Sequence, residues 1–319
     1  MAIDYEKQKH VAVISFNNPK QANVLDKVTS YEISEAWKEV WRDPDIRAII
    51  LTGKGDRHFC AGHNLKPRPD VTEEEREYLA TNGIFWPRFG SFFGKPGIDG
   101  RMGDHYPRIW KPVIAAVNGW AAGAGFYILL SSTDIRIASK ENARFKFALL
   151  SNGWVGGGPG ATLLTRQLRY ADAMQVLLTD EAFGADEALR IGLINEVVSH
   201  DRLLDRAHEI AEKIAKMPPL ATRMMKEFVI RFGEIPTDAA WQVQTLMNNL
   251  LIQTTADGSE GKQAFLEKRE PSFTGRLRQK GDAYPDPDQE QIDRYNEIIR
   301  SSETLSPDEI EELDERFRP

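Results

Sequence analysis

The most constraining feature of this chain is a five-residue apolar strand, Val113–Val117, set between Pro112 and a run of glycine and alanine. Asn118-Gly119 reads as a tight turn. Ala121, Ala122, Gly123, Ala124 and Gly125 then open a helix expected to continue through residues 126–130. Small residues at a helix start leave the first backbone N–H groups uncovered. The helix dipole makes that end a place for negative charge. A second stretch, residues 48–66, has the same character: a buried strand, a turn at residues 53–56, then Cys60-Ala61-Gly62-His63-Asn64-Leu65. The two places lie about sixty residues apart and could aim two backbone donors at one oxygen.

The rest of the chain frames this pair. With 319 residues, 41% of them hydrophobic and 28% charged, it is long enough for a full core in one or two domains. No apolar run reaches membrane-spanning length, and the first ten residues do not read as a signal peptide. One cysteine permits no internal disulfide, and a reducing compartment, the cytoplasm, is the expected home. Residues 277–319 hold 6 Lys+Arg against 13 Asp+Glu, which accounts for the whole net charge of −7. A nucleic-acid partner is therefore not expected, nor a membrane. No repeat and no metal-ligand spacing is present, and the glycine-rich 153–160 stretch lacks the Gly-Lys-Ser/Thr ending of a phosphate loop.

Periodicity gives a coarse map. Residues 10–16 alternate as a strand, and 26–42 form a helix that Asp26 can cap, with Val28, Tyr31, Ile33, Ala36, Trp37 and Val40 on its apolar face. Residues 47–52 and 134–138 are further strands. Beyond residue 160 the pattern is helical, over 162–168, 171–178, 184–192, 201–216, 221–232, Thr237–Thr254 and 259–268. Residues 72–79 carry an N-cap threonine and three glutamates and read as a helix. Residues 83–100 are rich in glycine and in Phe85, Trp86, Phe89, Phe92 and Phe93, too apolar for a free solvent loop. They are expected to wall the acyl pocket or to pack on another subunit. In the tail, residues 281–288 read as a linker and 307–317 as a short acidic helix.

Four segments together resemble the crotonase (enoyl-CoA hydratase/isomerase) superfamily. They are Phe59-Cys60-Ala61-Gly62-His63-Asn64-Leu65-Lys66, the 115–125 stretch, the 16–25 segment with Asn17-Asn18-Pro19-Lys20-Gln21-Ala22-Asn23, and the closing 260–269 segment. The likeness runs over about residues 2–276 in the family order. It implies an α/β fold, a crotonase-like spiral of ββα units: a core over residues 1–200, a helical trimerisation region over 201–276, and the acidic appendage at 277–319. It further implies an acyl-CoA thioester as substrate, a homotrimer or dimer of trimers, and no separate cofactor or metal, coenzyme A arriving as part of the substrate.

By resemblance, the backbone N–H groups of His63 and Ala124 form an oxyanion hole. The His63 imidazole either orients the loop or acts as an acid or base. Lys20, Ala22, Ala61, Asn64, Leu65, Gly123, Phe265 and Lys268 are carried over as coenzyme or substrate contacts. Relatives with hydratase activity use two glutamates, and here the chain departs from the pattern. Register on Gly125 puts Tyr127 at the first glutamate position, and register on Phe145 and Gly153 puts Leu149 at the second. Tyr127 becomes a candidate for handling a proton, Ser151 and Asn152 for holding water, and Leu149 and Trp154 for lining the acyl site. Asp99, Asp104, His105 and Tyr106 stand where some relatives place a general base. The expected activity is hydratase-type (lyase) chemistry on an unusual or bulky acyl-CoA. Isomerase or C–C bond hydrolase activity is the alternative within the superfamily, and a non-catalytic acyl-CoA-binding relative is the alternative outside it.

Overall fold

Strand and helix alternate along the chain in a way that shuttles it between two sheets. The computed structural model describes residues 1–65, 109–156 and 160–279, with 293, 294 and 297. The expected helix at 72–79, the aromatic stretch 83–100, Asp99, Asp104, His105, Tyr106 and the expected tail helix at 307–317 lie outside the described residues. The chain divides into two compact units, residues 1–234 and 235–319.

The first unit opens with the hairpin β1 (Ile3–Gln8) and β2 (Val11–Phe16), then helix α1 (Lys27–Arg42). Asp26 caps α1, its carboxylate accepting from the Thr29 N–H at 2.8 Å, as its position before the apolar period predicts. Strands β3 (Ala48–Gly53), β4 (His58–Cys60), β5 (Val113–Val117) and β6 (Trp120–Ala122) follow, leading into helix α2 (Ala124–Ser132). Next come β7 (Ile135–Ser139), β8 (Arg144–Lys146), helix α3 (Gly160–Gln167) and helix α4 (Tyr170–Thr179). The unit closes with β9 (Phe183–Gly184), α5 (Ala185–Arg190), β10 (Glu196–Val198), α6 (Leu203–Ala215) and α7 (Pro219–Phe232).

One sheet has the order β1-β2-β3-β5-β7-β10 and the other β4-β6-β8-β9. The pairs β3/β4, β5/β6 and β7/β8 thus place their first member in the larger sheet and their second in the smaller one. Apart from the β1–β2 and β8–β9 pairs, the ladders are parallel. Both faces of the larger sheet are covered, which is why β3 and β5 are buried throughout rather than alternating. Ile49, Leu51, Ala115 and Val117 face the main core with Trp37, Phe59 and Phe126. Ala48, Ile50, Ile114 and Ala116 face α6, whose Leu203, Ala207, Ala211 and Ala215 form a narrow stripe of helical spacing.

Residues 121–125 depart from expectation. The 120–122 segment is a strand, paired in parallel with β4 and β8, and α2 begins only at Ala124. Ladder partners on both sides override the helical tendency of the alanines. In the second unit α8 (Thr237–Thr254) and α9 (Asp257–Glu267) are tied by local bonds. Asp257 accepts from the N–H groups of Thr274 and Gly275, both at 2.8 Å. Among the described residues, no helix is long and apolar enough to cross a membrane.

Candidate active site

The two stretches singled out in the sequence meet at the start of α2. Gly62 has φ +90°, and a Cβ built there would stand 2.7 Å from the Ala122 carbonyl oxygen and 2.9 Å from the Ala124 nitrogen. A Cβ at Gly125 would stand 2.0 Å from the Cys60 carbonyl oxygen. Only glycine at both places lets the first turn of α2 lie directly on the backbone of residues 60–62. The loop is held from its other side by Leu25, whose N–H donates to the Gly62 carbonyl at 2.8 Å and whose carbonyl accepts from the Asn64 N–H at 2.9 Å. No peptide bond among the described residues is cis, so the His63 N–H points opposite to the Gly62 carbonyl, away from Leu25.

Helix α2 carries its own donors to the same place. Its N-cap, Gly123 (φ 53°), offers no side chain to cap the first turn. The N–H groups of that turn have no acceptor within the helix. Every residue of α2 except Ser131 is buried. Those donors therefore sit in a low-dielectric setting, where their pull on a negative charge is strong. Two asparagines fix the approach of the loops. Asn118 accepts from the Gly53 N–H at 3.1 Å and donates to the carbonyls of Gly55 (2.6 Å) and His58 (3.2 Å). Asn23 donates to the His58 carbonyl at 2.8 Å and to the Lys54 carbonyl at 3.2 Å.

Tyr127 and Leu149 come together. The Tyr127 ring is buried and packs on Phe147 at 5.2 Å between centroids. A Cβ at Gly156 would meet the Tyr127 Oη at 2.3 Å and the Leu149 Cδ1 at 2.5 Å, and one at Gly160 would meet the Tyr127 ring at 2.3 Å. Two glycines thus make the slot for the phenol. Burial, with a smaller push from the Asp180 charge, raises the Tyr127 pKa to about 12. The phenol is therefore protonated at neutral pH, able to donate a hydrogen bond but scarcely available as a base.

The remaining candidates separate. Ala22 adopts a left-handed backbone (φ 57°) and its carbonyl accepts from the Ala61 N–H at 3.1 Å, while Lys20 is exposed. Asn64 and Leu65 are exposed, and His63 is half-buried. Trp154 is 49% exposed, its backbone N–H donating to the Leu149 carbonyl. The Ser151 hydroxyl donates to Asp180 and the Asn152 amide to the Ala148 carbonyl, so both serve the turn around Leu149. Phe265, 81% exposed, and Lys268, the left-handed C-cap of α9, lie in the second unit. Sequence reasoning missed Asp180, whose position at the end of α4 gives no local sign that it reaches Ala148 and Ser151. Among the described residues no cluster of three or more His, Cys, Asp or Glu could hold a metal ion.

Comparison with known proteins agrees with this geometry. The family model described as enoyl-CoA hydratase/isomerase matches residues 6–95 and 98–276. The (E)-benzylidenesuccinyl-CoA hydratase of Thauera aromatica is 36% identical over 276 residues, 86% of this chain and 100% of that protein. The carnitinyl-CoA dehydratase of Escherichia coli K12 is 35% identical over 266 residues, 82% of this chain and 94% of that protein. The crystal structure of an enoyl-CoA hydratase from Bacillus anthracis superposes with a TM-score of 0.74 at 30% identity, covering 86% of this chain and 100% of that one. With its two-sheet spiral and a family match over most of its length, the chain belongs to the enoyl-CoA hydratase/isomerase family.

Proposed function

We propose that this protein is an acyl-CoA lyase of the hydratase/dehydratase kind. The carbonyl oxygen of the thioester sits between the N–H groups of His63 and Ala124. The observation that carries the reading is the approach of Gly62 to the Ala124 nitrogen, which brings the His63 loop onto the uncapped start of α2. When water adds across the Cα=Cβ bond of an enoyl thioester, its oxygen bonds to Cβ as one of its O–H bonds breaks, the electron pair of the double bond moves onto the thioester as an enolate, and the proton that the water gives up balances the one that Cα takes. The two donors hold that charge, and a proton delivered to Cα restores the thioester. Dehydration runs the same steps backwards. Such donors, fixed before reaction in a dry site, need no reorganisation when the charge develops.

By sequence register Tyr127 falls where relatives with hydratase activity carry their first glutamate, and its protonated phenol can relay the proton from water to Cα. The relatives named for benzylidenesuccinyl-CoA and carnitinyl-CoA support a bulky acyl group rather than a short straight chain. Tyr127 and Leu149 at the two glutamate positions also support a second reading, a relative that binds acyl-CoA without turning it over. A panel of straight, branched, cyclic and aromatic CoA esters, followed by mass spectrometry, separates the two. Gain or loss of one water supports the lyase. Esters retained but unaltered across the panel support the binder.

A further inference from the structure

Asp180 is a buried carboxylate with three donors and no cation within bonding distance among the described residues. Its Oδ1 accepts from the Ala148 N–H at 2.5 Å, and its Oδ2 accepts from the Ser151 N–H at 2.8 Å and the Ser151 hydroxyl at 2.7 Å. Both ends of this clasp have unusual backbones: Asp180 has φ 49° and Ala148 has φ 59°. Residues with a Cβ hold left-handed conformations when the surroundings fix them, and such strain gathers at functional sites. The clasped turn presents the buried Leu149, and further along the same segment Gly156 lies on the Tyr127 Oη. Helix α4, the turn and Tyr127 are thereby linked through one carboxylate.

We propose that Asp180 is a positioning residue of the candidate site: anchored on Ala148 and Ser151, it sets the 148–156 segment against Tyr127 and so orders the face an acyl group would meet. It is not the missing general base. Its oxygens are taken by three donors, and although burial opposes its ionisation, the bonds from Ser151 and Ala148 outweigh burial and hold its pKa below the ordinary carboxylate range. Among the described residues, the charges that bear on this link are Lys146 on β8, which favours the Asp180 carboxylate, and Asp180 itself, which adds to the effect of burial in keeping the Tyr127 phenol protonated.

The kinetic part of this proposal rests on the acyl-CoA reading, while the spectroscopic part does not. Asp180→Asn keeps the size and one acceptor but removes the charge. Ser151→Ala removes one bond and keeps the charge. On a turned-over CoA ester, Asp180→Asn should lower kcat roughly 10- to 100-fold, the scale of a small misplacement of reacting groups. Ser151→Ala should lower it less, and the double variant should be no worse than Asp180→Asn, because both act through one turn. Phenolate absorbance, taken as the difference from the Tyr127→Phe protein in each background, should show Tyr127 titrating at lower pH in Asp180→Asn and unmoved in Ser151→Ala. If Asp180→Asn does not fold, Asp180→Gly, which suits the left-handed backbone, takes its place. An unchanged Tyr127 titration in the Asp180 variant, or fully additive kinetic losses, overturns the proposal. A wild-type protein that turns over no ester sinks the lyase reading instead, and the titration still decides the role of Asp180.

Discussion

Gly62 and Ala124, far apart in sequence, are in backbone contact: a Cβ on Gly62 would stand 2.9 Å from the Ala124 nitrogen. Gly62→Ala has no low-energy outcome, because its φ of +90° strains any side chain and its neighbours at 2.7 and 2.9 Å are backbone atoms. The substitution should cost about 3 kcal/mol of stability and abolish turnover. Thermal unfolding and activity on the same preparation check both halves. An active variant of wild-type stability would mean that the loop and α2 are not packed as described.

Ala124→Pro removes one N–H while leaving a residue that helices accept at their first position. The fold should persist, by circular dichroism and a cooperative melt, while kcat/KM falls on the order of 10²–10³. A folded variant at full activity would take Ala124 out of the oxygen-binding pair.

Tyr127→Phe tests the phenol at two levels. If Tyr127 passes a proton to Cα, turnover should fall roughly 10²-fold or more with the KM little changed. The stability effect has a definite sign. The folded-state pKa, about 12, lies above the ordinary value of 10.0, so the folded protein keeps a proton that the unfolded chain has lost. The wild type should therefore lose stability as pH rises from about 10 to about 12, and Tyr127→Phe should flatten that part of the profile. Identical alkaline denaturation curves and rates would return Tyr127 to plain packing.

Asn118→Ala should loosen the corner where the chain passes from the larger sheet to the smaller one. It strips the Gly53 N–H of its acceptor and frees the Gly55 carbonyl, while the His58 carbonyl loses one of its two donors and keeps Asn23. A loss of about 2–4 kcal/mol is expected in denaturant unfolding. A midpoint unchanged within error would show that water replaces all three bonds.

Much of this architecture is legible in the residues themselves. Val113–Val117 announces a strand buried on both faces by its unbroken apolar run. Asp26 marks the start of α1 because a cap is a local device. Gly62, Gly123 and Gly125 mark the meeting of two loops because close backbone approach has a compositional signature. What stayed hidden is non-local. Three residues, Trp120, Ala121 and Ala122, form a strand only because β4 and β8 flank them. Asp180 looks like an ordinary helix end until its carboxylate is seen on Ala148 and Ser151, about thirty residues upstream. Asn23 likewise gives no sign that it reaches Lys54 and His58.

The most direct measurement of the central claim is exchange of α-protons of saturated CoA esters in heavy water, read by mass spectrometry for the wild type and Ala124→Pro side by side. It reports enolate formation without requiring the natural acyl group. With the wild type, deuterium should enter the α-carbon of at least one ester, and with a folded Ala124→Pro its uptake should be slower on the order of 10²–10³. Equal uptake by both proteins, or none with any bound ester, would contradict the central claim.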